Sequence, residues 1–183
     1  PTLVIPYVKT AVEGIRRLGA LVSEYGSAES NGVVIADPNE AWYIEIYTGH
    51  QWLAIKLPDD QVAVIPNAAV LGCVDLSDQD HVIASPNFWE LAKEHQFLVE
   101  SDGKPHAAKT YGADRFDAKY LNGCQYRFWG ARHFLAPSQT GDIDLTAYYD
   151  AFFVPDQKVS LADCMEVMRY RYEDTPYNSN TNR

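Results

Sequence analysis

The stretch that decides the fold is Gly32-Val33-Val34-Ile35-Ala36, then Ala41-Trp42-Tyr43-Ile44-Glu45-Ile46-Tyr47, then Gln51-Trp52-Leu53-Ala54-Ile55-Lys56-Leu57, then Val62-Ala63-Val64-Ile65. These runs are rich in β-branched and aromatic residues, which fit a pleated surface. Asp37-Pro38-Asn39, Thr48-Gly49 and Pro58-Asp59-Asp60 separate them, and all three are turn chemistry. Connections this short join antiparallel neighbours, so the spacing predicts a four-stranded meander. Alternation puts Trp42, Ile44 and Ile46 on one face of the second strand and Tyr43 and Glu45 on the other.

Upstream, Val8, Val12, Ile15, Leu18, Val22 and Tyr25 recur at steps of three and four, which predicts a helix over 8–25. Gly26 follows as its stop. Downstream, Ser85-Pro86 before Asn87–Glu94 predicts an N-cap, a proline at the first helical position and a short helix. Residues 114–134 are aromatic and basic, with Arg115, Arg127 and Arg132. Ser160 with Asp163 three residues on predicts a capped helix reaching about Tyr172. The polar tail 176–183 is expected to be loose in isolation.

The 183 residues suffice for one domain with a sizeable core. Hydrophobic residues make up 46% and charged residues 22%, a globular balance. The formal charge of −10 repels phosphate backbones, so no nucleic-acid partner is expected. No apolar run approaches the ~20 residues of a membrane helix, so no membrane partner is expected either. Cys73, Cys124 and Cys164 form an odd, sparse set without a C-x-x-C pair. They predict no disulfide framework, no zinc site, and a reducing, cytoplasmic location.

Several side chains could carry chemistry, each with a structural alternative. His50, Cys73 and Cys124 would serve a Cys–His hydrolase, but no local signature distinguishes either cysteine from a small buried apolar residue. Asp37, Asp59 and Asp60 sit in turns, which accounts for them. Glu45 lies in mid-strand among apolar residues and is harder to dismiss. Asn67, after Pro66 at a strand end, is either a turn residue or an amide placed to donate to an oxyanion. Arg127 and Arg132 flank Phe128 and Trp129, a pattern open to stacking, a carboxylate clamp or a structural ion pair. Trp42, Trp52 and Trp89 read as core.

Taken in order, Asp37-Pro38-Asn39-Glu40-Ala41-Trp42-Tyr43-Ile44-Glu45, Gly49-His50-Gln51-Trp52, Pro58-Asp59-Asp60 and Pro66-Asn67 resemble the dipeptidase A family of bacterial cysteine dipeptidases. Tyr126-Arg127-Phe128-Trp129 and the late string 172–177 are similar to that family too, so the resemblance spans essentially the whole chain. It implies an α+β fold, part of an N-terminal-nucleophile hydrolase αββα sandwich with antiparallel sheets. It implies dipeptide hydrolysis by a cysteine that is the first residue of the mature enzyme, with its α-amino group as general base, and neither cofactor nor metal. By resemblance to penicillin-V-acylase-like and bile-salt-hydrolase-like relatives, Asn67 would help form the oxyanion hole. Arg127 would tune the thiolate, with Arg132 as its competitor. His50 and Glu45 lie in family strings without an implied role.

Residue 1 is Pro where the family opens with Cys-Thr, and family members are longer at both ends. The expectation is therefore that 1–183 is the central segment of a dipeptidase catalytic domain, truncated at both ends and inactive alone. Sheet edges left open by such a segment would pair with a second copy, giving a homo-oligomer. An acylase acting on non-peptide amides and a binding module without a nucleophile are the alternatives.

Overall fold

The computed structural model describes residues 1–112, 118–173 and 175–178; of 118–122 it describes the helical backbone alone. In chain order the first elements are α1 (Ala11–Tyr25), β1 (Asn31–Ala36), β2 (Ala41–Ile46), β3 (Trp52–Lys56), β4 (Val62–Ala63), β5 (Val82–Ala84) and α2 (Phe88–Glu94). There follow β6 (Glu100–Ser101), β7 (Lys104–Pro105), α3 (Ala107–Tyr111), α4 (Ala118–Leu135), β8 (Phe152–Phe153) and α5 (Leu161–Arg169). Every strand ladder described is antiparallel, so the chain is α+β. Its contacts form two compact units, Pro1–Pro58 with Ala69–Ala113, and Asp59–Ala68 with Asp114–Arg183.

In the first unit the sheet order is β1-β2-β3-β5. Pairs such as Val33↔Ile44 and Ile44↔Ala54 bring the apolar sets onto one face. Trp42, Ile44, Ile46, Trp52 and Ala54 on that face bury against Ala11, Ile15 and Val22 of α1. A capping box between Thr10 and Glu13 starts α1. The Asp37 carboxylate also accepts from Ala11 N at 2.7 Å, tying the helix start to the β1–β2 turn. That bond, then one from Asn39 N, holds the Asp37 carboxyl below its usual range. Gly26, at φ 76°, ends the helix as expected. Tyr25, expected on the apolar stripe, is 73% exposed because the helix end runs past the sheet's apolar face.

The core approaches α1 most closely at Gly19, where an added Cβ would stand 2.2 Å from Trp52 Cζ2. Trp52 cannot easily move aside, since it is buried and its Nε1 donates to Ser23 Oγ at 2.9 Å. Gly19→Ala therefore sets a helix-propensity gain of about 1 kcal/mol against an overpacking cost of roughly 1–3 kcal/mol. The clash is severe enough that we expect a lowered unfolding midpoint in urea. A midpoint at or above wild type would show that Trp52 can relocate.

Two further expectations change. The fourth place in the sheet belongs to β5, pairing Ala84 with Leu53, and not to 62–65. β4 instead pairs with β8 in the second unit, Val62↔Phe153 and Ala63↔Phe152. Composition marks a strand but not its partner, and this partner lies far along the chain. At α2, the N-cap is Asn87, in the left-handed region at φ 56° with no side-chain cap bond. Ser85 cannot cap the helix because its hydroxyl is engaged at the end of β5, donating to Gln51 Oε1 at 2.7 Å and accepting from Trp52 N at 3.2 Å.

In the second unit α4 buries Cys124, Gln125, Phe128, Trp129 and Ala131. Gln125 Nε2 donates to Leu145 O and Ala147 O, and Trp129 Nε1 to Gly141 O at 2.9 Å, so the loop after the helix is strapped onto it. α5 begins with the expected Ser160–Asp163 capping box and stops at Arg169, short of Tyr172. Arg115 at the start of the basic stretch, and 179–183 of the tail, lie outside the described residues.

Candidate active site

β4 ends at Ala63, two residues short of the expected strand end, and Pro66 beyond it has no N–H to donate. The last ladder-like bond is Val64 N to Ala151 O at 2.7 Å, and Ala68 N turns back to Pro66 O at 2.8 Å. Asn67 is exposed in the bend that follows, four residues after β4 rather than at the strand end expected. On α4, Arg127 folds back along the helix, its Nε donating to Gly123 O one turn earlier. Its Nη1 donates to Asn67 Oδ1 at 2.8 Å, and its Nη2 lies 3.6 Å from Cys124 Sγ. Cys124 is 1% exposed, and its Sγ donates to Asn67 O at 3.5 Å.

Two residues that the sequence puts 60 positions apart thus share a hydrogen bond. A guanidinium offers only donors, so it faces the amide oxygen of Asn67 and turns the NH2 away. Among the described residues nothing accepts from that NH2. Among the described residues every hydrogen-bond partner of Arg127 is neutral, and no carboxylate forms an ion pair with it. A cation without a described carboxylate partner, beside an oriented amide, suits a site where negative charge develops. Arg132 is committed elsewhere: it donates to Asp150 O at 3.0 Å and stacks 4.5 Å from the centroid of Phe153.

The remaining sequence candidates have structural roles. Cys73 is exposed, with Sγ at 3.8 Å from Ser101 O and 3.7 Å from Lys104 O. His50 Nδ1 lies 3.0 Å from Ser23 O, pinning the β2–β3 turn to α1. Glu45, 3% exposed, accepts from Val70 N at 2.5 Å, Tyr47 Oη at 2.7 Å, Tyr43 Oη at 3.1 Å and Leu71 N at 3.3 Å. Burial pushes its carboxyl above the usual range, and the four donors pull it partly back. Glu45 is the anchor of segment 70–71 on the sheet, a role its mid-strand position hinted at but could not specify.

A family model for peptidase family C69 matches residues 1–183. The chain belongs to peptidase family C69. This C69 chain is 38% identical over 172 residues to a probable dipeptidase B of Streptococcus pyogenes serotype M6, covering 94% of the chain and 33% of that protein. It is 34% identical over 178 residues to a probable dipeptidase of Latilactobacillus sakei, covering 96% and 36%. Dipeptidase A of Lactobacillus helveticus matches at 29% over 181 residues, covering 97% and 37%. The chain spans about a third of the length of these relatives, and the resemblance to cysteine dipeptidases read from the strings above holds at the level of the family. Among the described residues of the C69 chain, no group of three or more His, Cys, Asp and Glu is placed to hold a metal ion. No described helix is long and apolar enough to cross a membrane.

Proposed function

We propose that this chain is part of a cysteine dipeptidase with the N-terminal-nucleophile αββα architecture, to which it contributes Asn67 and Arg127. The observation that carries the reading is the 2.8 Å bond from Arg127 Nη1 to Asn67 Oδ1, which orients an amide donor beside a guanidinium. The names of the relatives supply the reaction class. The attacking thiolate is assigned to a cysteine outside these 183 residues: the family resembled uses the first residue of the mature enzyme, position 1 here is Pro, Cys124 is sealed in the core, and the bonds described for Cys73 run only to backbone carbonyls. Sulfur bonds to the scissile carbonyl carbon, the C=O π pair moves to oxygen, and Asn67 Nδ2 donates to that oxyanion. Collapse expels the amine, which takes a proton, and water then cleaves the thioester. The Arg127 charge favours the thiolate. The substrate is a dipeptide, and the three free cysteines support a reducing, cytoplasmic setting.

The test uses the protein expressed from its complete reading frame. Dipeptides, and acylated amino acids as controls, are followed by release of free amino groups, with and without iodoacetamide. Thiol-sensitive turnover of dipeptides is the expected result, and no turnover of any dipeptide overturns the reading. In the same protein, Arg127→Ala should move the pH–rate profile to higher pH, because loss of the guanidinium raises the thiol pKa. Arg132→Ala, which loses its ties to Asp150 and Phe153, should lower the unfolding midpoint and leave the profile in place. A profile that moves with Arg132→Ala and not with Arg127→Ala reverses the assignment.

A further inference from the structure

Arg127 reaches Asn67, Cys124 and Gly123 without any described carboxylate to fix it. A long side chain held only by neutral acceptors keeps much of its rotamer freedom unless something walls it in. The face of α4 that carries it is lined by tyrosine rings. Gly123, Tyr126, Arg127 and Gly130 fall at steps of three and four, hence on one side of the helix.

A Cβ on Gly130 would stand 2.6 Å from Tyr172 Cε1 and 3.1 Å from Tyr170 Cε1, so these rings lie directly on the helix backbone. The Tyr172 ring meets Tyr126 edge-on at 5.2 Å and 76°, and Tyr126 stacks on Tyr177 at 5.3 Å and 18°. Tyr170 closes against Tyr172 at 4.7 Å. Tyr172 does this from a left-handed backbone at φ 61°. A bulky residue persists there only where its surroundings over-determine it, and such outliers gather at working sites. Thr175 N and Oγ1 both donate to Tyr172 O, at 3.0 and 2.9 Å, and hold the conformation. Burial, with Tyr126 and Tyr170 nearby, raises the Tyr172 phenol, and the Arg127 charge acts on it in the opposite direction.

We propose that Tyr172 is a positioning residue, whose ring walls the Arg127 face of α4 and keeps the guanidinium on Asn67 and Cys124. Its consequence for turnover rests on the reading that Arg127 serves the reacting cysteine; the positioning itself does not.

The strained backbone supplies a clean test. Glycine adopts φ 61° freely, so Tyr172→Gly removes the ring while relieving the strain. Tyr172→Phe keeps the ring and serves as the rescue. The Nε–H of Arg127, bonded to Gly123 O, should give a slowly exchanging ¹⁵N signal in wild type and Tyr172→Phe, and exchange rapidly in Tyr172→Gly. In the active enzyme, kcat/KM of Tyr172→Gly should fall by up to about 10²-fold, the loss expected of a misplaced catalytic group. Its pH–rate profile should move upward as for Arg127→Ala, with Tyr172→Phe close to wild type. An unchanged Arg127 signal in Tyr172→Gly overturns the proposal, as does a Tyr172→Phe variant that behaves like Tyr172→Gly. A signal lost in Tyr172→Gly and kept in wild type, where the wild-type enzyme turns over no dipeptide, supports the positioning and rejects the dipeptidase reading instead.

Discussion

Asn67→Ala is expected to lower kcat by ~10²–10³-fold, or roughly 2.7–4 kcal/mol, with KM nearly unchanged. A donor aimed at an oxyanion acts on a charge that exists only near the transition state, so its loss appears in kcat. The structure gives this expectation a sharper control than the alanine variant alone. Asn67 Oδ1 accepts from Arg127, so Asn67→Asp preserves the shape and turns the contact into an ion pair, yet removes the NH2. Stability should hold or rise in Asn67→Asp while kcat falls at least as far as in Asn67→Ala. A residue acting only through the turn would behave oppositely, losing stability with alanine and keeping kcat per folded molecule with aspartate. Steady-state kinetics and thermal unfolding on the same preparations separate the two, and wild-type kcat in Asn67→Asp would remove Asn67 from the oxyanion hole.

The second large effect concerns stability. Glu45→Ala removes the acceptor of the Val70 and Leu71 N–H groups and of the Tyr43 hydroxyl in a buried space, and takes one bond from Tyr47. With roughly 1–3 kcal/mol for each buried donor left unmade, a loss on the order of 3–5 kcal/mol is expected after partial relaxation. Glu45→Gln fits the space but sets an NH2 against one of the two backbone donors, so it too destabilises, by about 1–3 kcal/mol. The pH dependence has a definite sign. The folded carboxyl titrates above its unfolded value because it is buried. Between the ordinary value of about 4.3 and the raised one, the folded protein holds a proton that the unfolded chain releases. The contribution of Glu45 is therefore fully present below the unfolded value and declines as pH rises through the folded one. The stability gap between wild type and Glu45→Gln should be widest in acid and narrow with rising pH. Denaturant titrations across that window test this, and a gap that widens with pH contradicts it.

Much of this was legible in the residues. The β1–β3 hairpins follow from β-branched runs separated by turn residues, and α1 from a periodic stripe over 8–25, of which Ala11–Tyr25 is helical. These are signals within a few residues, where backbone preference and side-chain alternation act directly. The family strings likewise marked Asn67 and Arg127 one at a time. Tyr43 and Glu45 read as the second face of β2, but nothing in the alternation says that this face is buried too, with Tyr47, Phe88 and Tyr111 packed in ring contact.

What the sequence determined by itself is local grammar: the first three strands with their turns, the bodies of α1, α2 and α5, and which side chains have chemistry to offer. Tertiary structure alone decided partners. It sent β4 to β8 and put β5 beside β3, because a strand's composition is equally content with any antiparallel neighbour. It gave Ser85 to Gln51 and Trp52 instead of to a helix cap, because a hydroxyl takes whichever partners the fold delivers. It brought Arg127 onto Asn67 and Tyr172 onto Gly130, because such contacts depend on long-range packing that no window of neighbouring residues encodes.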